Sequence, residues 1–180
     1  MQTVCTRLRE PYWQRVLDYR DQLAEDPLLG AIFDPPTAHC SHVLAEDLDW
    51  DGLAPALEAF ARTQKPFVLR TRGVLCFTGE LPTIVVNVVK DARLAEYHAA
   101  LYEVASKFAV NGAQSYAPAT WKPHVTIKRC PPDAASFGGA MAKLAAEPFD
   151  WQIPIDAVSA QYDLGGSEER VERLRFPLTG

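Results

Sequence analysis

The chain has four histidines, His39, His42, His98 and His124. An imidazole has an unperturbed pKa of about 6.5, so it can give or take a proton near neutral pH. Two of the four share a local pattern. His39-Cys40-Ser41 and His124-Val125-Thr126 each place a β-hydroxyl residue two positions after a histidine. On a strand, residues i and i+2 point to one face, so His39 lies with Ser41 and His124 with Thr126. Two imidazoles and two hydroxyls meeting in one cleft suit displacement at phosphorus. One ring takes the proton of the attacking oxygen, the other protonates the leaving oxygen, and the hydroxyls donate to non-bridging oxygens. Lys122 and Lys128 stand at even offsets from His124 and share its face if the strand is regular.

Each signal also has a plainer reading. One H-x-[S/T] triplet is a common hydrogen-bonded strand histidine, and it is the second copy that gives the pattern weight. His39-x-x-His42 with Cys40 between suggests a metal, but an odd separation on a strand puts the two rings on opposite faces. No metal and no cofactor are expected. His42 is then a surface residue or a support behind the site, and His98, mid-helix beside Tyr97, is expected to be partly exposed. Phe77, Tyr116 and Trp121 are candidates to stack a base, with core packing the competing role. Arg70, Arg72 and Arg129 either meet phosphate or face solvent. Gly165-Gly166 marks a turn.

The elements that must carry these residues follow from periodicity. Strands are predicted at Thr3–Leu8, Ala38–Leu44, Pro66–Arg72, Val74–Thr78 (beyond a break at Gly73), Thr83–Val89 and Trp121–Lys128. Further strands are predicted at Phe149–Leu164 and Arg173–Pro177. Apolar spacing predicts helices over Pro11–Ala24, after Asp51, after Asp91 and, weakened by Gly138-Gly139, after Asp133. A loop through Phe33-Asp34-Pro35-Pro36 and an irregular one over 111–120 precede the two histidine strands. The order strand, helix, loop, histidine strand, helix, strands occurs in both halves. It predicts an α+β fold of two lobes about a pseudo-two-fold, each a small, mostly antiparallel sheet with helices outside. One bilobal domain over 1–180 is expected, halved near 80 and compatible with strand exchange, with a cleft between the lobes.

The chain has 180 residues, 48% hydrophobic and 23% charged. That length suits one domain or a compact two-lobed one, and that composition excludes disordered and disulfide-scaffold classes. No run approaches the ~18 apolar residues of a spanning helix, and the charged N-terminal segment is unlike a signal peptide. Four scattered cysteines without a CxxC pair read as reduced thiols, so a cytoplasmic monomer without membrane contact is expected. The net charge of −5 speaks against gripping long nucleic acid through many phosphates. It leaves room for short ends or small substrates held by a local donor cluster.

On these motifs the chain resembles the 2H phosphoesterases, specifically the 2′-5′ RNA ligase and cyclic phosphodiesterase family, over roughly residues 3–177. The second motif, with Trp121 and Pro123 ahead of His124-Val125-Thr126-Ile127, is the closer match. The first, His39-Cys40-Ser41-His42-Val43, has Ser for Thr. The resemblance implies a bilobal fold with both motifs facing a central cleft, His39 and His124 as catalytic acid and base, and Ser41 and Thr126 as phosphate ligands. It implies no metal requirement and substrates such as RNA ends, tRNA fragments or small 2′,3′-cyclic nucleotides, with reversible 2′-5′ joining in some members. Lys122, Lys128, Arg129, Trp121, Phe77 and Tyr116 are the further substrate-binding candidates. Other readings are a 2′-5′ oligonucleotide or nucleotide-sugar cyclic phosphodiesterase, or a non-catalytic module binding RNA ends or nucleotides.

Overall fold

The computed structural model describes residues 1–32, 34–35, 37–163 and 170–180. Gly165-Gly166, and Phe33 and Pro36 of the first loop, lie outside the described residues. The architecture is α+β with antiparallel ladders. One four-stranded sheet has the order β10 (Arg170–Pro177), β9 (Ala157–Asp163), β1 (Gln2–Arg7), β2 (His39–Ala45). The other runs β7 (His124–Arg129), β5 (Thr83–Val88), β4 (Phe67–Phe77), β8 (Gln152–Ile155). A two-stranded ladder joins β3 (Asp47–Leu48) to β6 (Ala109–Val110). The first half of the chain thus lends β4 to the second sheet, and the second half lends β9 and β10 to the first.

Helices cover the sheets from outside. α3 (Trp50–Thr63) packs on β9 and β10, and α4 (Ala92–Ala105) on β2. α1 (Tyr12–Ala24) lies on β7 and touches both the short α2 (Pro27–Gly30) and α5 (Ala134–Leu144). Aspartates start four of these five helices: Asp26, Asp49, Asp91 and Asp133 accept the backbone N–H of Leu28, Gly52, Leu94 and Ser136. Each satisfies a donor that the first turn would leave unpaired. Asp49, not Asp51, caps α3, because the helix begins two residues earlier than its apolar stripe implies. Among the described residues no helix is long and apolar enough to cross a membrane.

Two strand readings change. Pro66–Arg72 and Val74–Thr78 are one strand, β4, because Gly73 adopts φ 68° and makes a bulge, between Thr71 and Val74, where a break was expected. The region 149–164 instead divides at Asp156, β8 joining one sheet and β9 the other. β2 and β7, the edge strands of the two sheets, lie against each other. The Trp121 indole N–H donates to the Ser41 carbonyl across that seam at 2.9 Å. The two histidine motifs therefore share one junction.

Candidate active site

His39 and His124 each begin a strand, and each is held in the same way. The Nδ1–H of His39 donates to the carbonyl of Thr37 at 3.0 Å, and that of His124 to the carbonyl of Lys122 at 2.8 Å. A carbonyl can only accept, so in the neutral ring the proton sits on Nδ1 and Nε2 keeps its lone pair. Behind His39, the Gln161 amide of β9 donates to Thr37 Oγ1 at 2.9 Å, and that hydroxyl oxygen lies 3.0 Å from His39 Nδ1. Thr37 and Gln161 are both buried. Gln161 is a brace contributed from far along the chain, and the motif spacing gave no sign of it.

His39, Ser41, His124 and Thr126 line one small hollow of about 70 Å³, together with Tyr116 and Arg129. That is roughly the space of two waters, suited to a single compact anion. His124, Thr126, Tyr116 and Arg129 also line an adjoining cavity of about 720 Å³, in the size range of small-molecule sites. Phe77 and the exposed Lys122 line the larger cavity too, and the Phe77 ring meets the His124 ring edge-on with centroids 4.8 Å apart. Burial pushes the His124 pKa below the ordinary histidine value, only partly offset by its bond to the Lys122 carbonyl. At neutral pH this imidazole is a free base.

One candidate stands elsewhere than the spacing suggested. Lys128 does not share the face of His124. β7 carries a bulge between Thr126 and Lys128, which reverses the side-chain alternation. Lys128 is buried, bonded to the Ile32 carbonyl at 2.8 Å and paired with Asp34. The same bulge turns Arg129 into the cleft. Trp121 is almost fully buried, and one face of its indole is covered by the His98 ring at 3.6 Å and 11°, so that face cannot take a base. Arg70 pairs with Asp91 at 3.6 Å and Arg72 is exposed; neither lines a cleft cavity.

His42 and His98 are both fully buried, which corrects the surface and partly exposed placements. The far side of β2 is covered by α4, so the ring facing away from His39 enters the core. The bonding fixes both tautomers. His98 Nε2–H must donate to the Tyr116 carbonyl (3.1 Å), so His98 Nδ1 accepts from His42 Nδ1–H (3.3 Å). His42 Nε2 then accepts from the Thr6 hydroxyl (2.9 Å). This chain of bonds ends on Tyr116, in the wall of both cavities. Burial, then the neighbouring His98, pushes the His42 pKa far down. Burial brings His98 down to about 4. Among the described residues no three His, Cys, Asp or Glu side chains are grouped to hold a metal.

Arg20 lies with Val16 and Leu23 on the buried face of α1. It donates to the carbonyls of Ile127 (3.1 Å), Thr126 (2.7 Å) and Pro35. Two of these carbonyls belong to β7, an edge strand, so the guanidinium ties α1 to the strand that carries His124 and Thr126. A cation inside an amphipathic stripe is the signal by which such a residue can be found.

A family profile described as the 2′-5′ RNA ligase superfamily matches residues 28–166. The chain belongs to that superfamily, the 2H phosphoesterases. No curated protein matches the chain by sequence. Among solved structures, TT0787 of Thermus thermophilus superposes with a TM-score of 0.64 at 18% identity, covering 99% of this chain and 98% of that one. Kluyveromyces marxianus Usb1 gives 0.55 at 13% identity, covering 98% and 97%. Both likenesses are of fold.

Proposed function

We propose that this chain is a metal-independent phosphodiesterase that opens the 2′,3′-cyclic phosphate ends of RNA or oligonucleotides. The observation that carries this reading is the hollow in which both H-x-[S/T] pairs meet, each histidine bonded through Nδ1 to the carbonyl two residues behind it. Water attacks phosphorus as His124 Nε2 accepts its proton, a role suited to an imidazole kept neutral by burial. The bond from phosphorus to the 3′ oxygen breaks, and His39, protonated at Nε2, delivers a proton to that oxygen. The products are a 2′-phosphate and a free 3′-hydroxyl. Ser41 and Thr126 donate to the non-bridging oxygens, where charge gathers in the transition state. A 5′-hydroxyl in place of water, with the same proton transfers, joins two strands through a 2′-5′ linkage. Four free cysteines are compatible with the proposed cytoplasmic setting.

Product analysis on a short RNA with a 2′,3′-cyclic end tests the reading. His39→Ala and His124→Ala should each lower kcat roughly 10²–10⁴-fold with unchanged melting temperature, and wild-type turnover should persist in EDTA. Near wild-type turnover by His124→Ala would overturn it, and loss on chelation would restore a metal reading. The base must be unprotonated and its pKa is depressed. The acid limb of kcat/KM should therefore fall below pH 6.5, the ordinary histidine value.

A further inference from the structure

The two sheets turn unlike faces to the cleft. Directly paired residues on neighbouring strands point to one side of a sheet. In the second sheet the rows beside Thr126 are Phe77–Thr83–Arg129 and Leu75–Val85–Thr126; the one cation stands on β7, and on β4 the rows end in the apolar Phe77 and Leu75, the latter left 45% exposed. In the first sheet Arg7 is paired with His39, Cys5 with both Ser41 and Ser159, and Ser159 with Arg175. The face that carries His39 thus carries two arginines. With Arg9 they line a polar hollow of about 180 Å³ that also contains Asp156, Ser159 and Glu172. It opens one strand spacing, ~4.8 Å, from the strand of His39.

We infer that this hollow is a second anion subsite, taking the 5′-phosphate of the terminal nucleotide, through which the RNA chain continues away from the cyclic end. The inference rests on the phosphodiesterase reading above for the identity of the nucleotide. Arg7 Nη1 meets Glu172 at 2.8 Å, Arg9 Nη1 meets Asp156 at 2.6 Å and Arg175 Nη2 meets Asp156 at 3.4 Å. The Ser159 hydroxyl donates to Glu172 at 2.5 Å. Three guanidinium groups therefore face two carboxylates, and one positive charge is left over. Each guanidinium has five N–H donors and each pair runs through one nitrogen, so donors remain for a phosphate. Both Asp156 pairs are 40–53% exposed, which makes them weak and open to rearrangement around an incoming anion. The Arg7–Glu172 pair is about three-quarters buried and holds one guanidinium in place. The arrangement also gives the substrate a direction, its base towards Phe77 and Leu75 and its chain towards the arginines.

Calorimetric titration with adenosine 2′-phosphate and adenosine 2′,5′-bisphosphate tests the subsite without relying on turnover. The bisphosphate should bind about ten- to hundredfold more tightly, the range of one or two charge-assisted hydrogen bonds. The Arg7→Gln/Arg175→Gln double variant should reduce that ratio to about threefold or less. Circular dichroism confirms that the variant folds, and the wild-type ratio is decisive even if it does not. Equal affinity of the two compounds for the wild type would overturn the inference and mark the arginines as an ion-pair network only. So would a preference that survives both substitutions in a folded variant. Bisphosphate preference without turnover of cyclic phosphates would refute the proposed reaction and keep the subsite. Turnover with equal affinity would do the reverse.

Discussion

The two catalytic candidates are matched in their fastening as well as their motif. Each ring is bonded to the carbonyl two residues behind it, so the local backbone sets which nitrogen, Nε2, is left to react. This much is legible in sequence, because a histidine, its i+2 hydroxyl and its i−2 carbonyl all belong to one short segment. His42 and His98 are the opposite case. Their partner atoms are 56 positions apart, and only the packing of α4 on β2 makes either ring a core residue. Their burial has a measurable cost in acid. An unfolded histidine protonates near pH 6.5, whereas His98 in the fold stays neutral until about pH 4. Below pH 6.5 the unfolded chain therefore binds the extra proton, and stability declines as pH falls from about 6.5 to 4. His98 alone should account for roughly 3 kcal/mol of that decline. Denaturant melts across this interval should show the slope, and His98→Gln should flatten it; an unchanged slope in that variant would contradict the assignment.

At the scale of elements, the decisive irregularity is the bulge in β7. Strict alternation assigns Lys128 to the cleft, and one extra residue sends it to Asp34 while Arg129 takes the vacated face. A bulge depends on how the strand pairs with β5, which the residues of β7 alone do not specify. Gly73 in β4 shows the same limit, since a glycine in a strand run reads equally well as a break or a bulge. The predicted helices, by contrast, were readable from local signals, namely apolar spacing and Asp caps. α1 adds a role that spacing hides, because Arg20 fastens the carbonyls on either side of the bulge. Arg20→Met takes that charged donor away from both carbonyls and should cost roughly 1–3 kcal/mol. Its kcat should fall as Thr126 loses its fixed backbone, while Arg20→Lys should recover part of both losses. Chemical denaturation and steady-state kinetics on the pair check this, and a fully stable, fully active Arg20→Met would rule the role out.

For the whole molecule, element order was legible and sheet membership was not. The repeat of strand, helix and histidine strand reads directly from the chain, but which sheet a strand enters is settled by contacts between distant segments. The result is woven: β4 finds both its partners, β5 and β8, beyond residue 80, and β1 relies on β9. A cut in the turn at Gly79-Glu80 therefore yields no self-sufficient half. The piece 1–79 would hold β4 with no neighbour, and the piece 80–180 would hold β9 without β1. Each fragment alone should lack a cooperative melt, and mixing them should restore both the melt and the turnover. A fragment 80–180 that melts cooperatively by itself would contradict this. The weave should thus make the protein a natural split reporter, silent as two pieces and active only when they find each other.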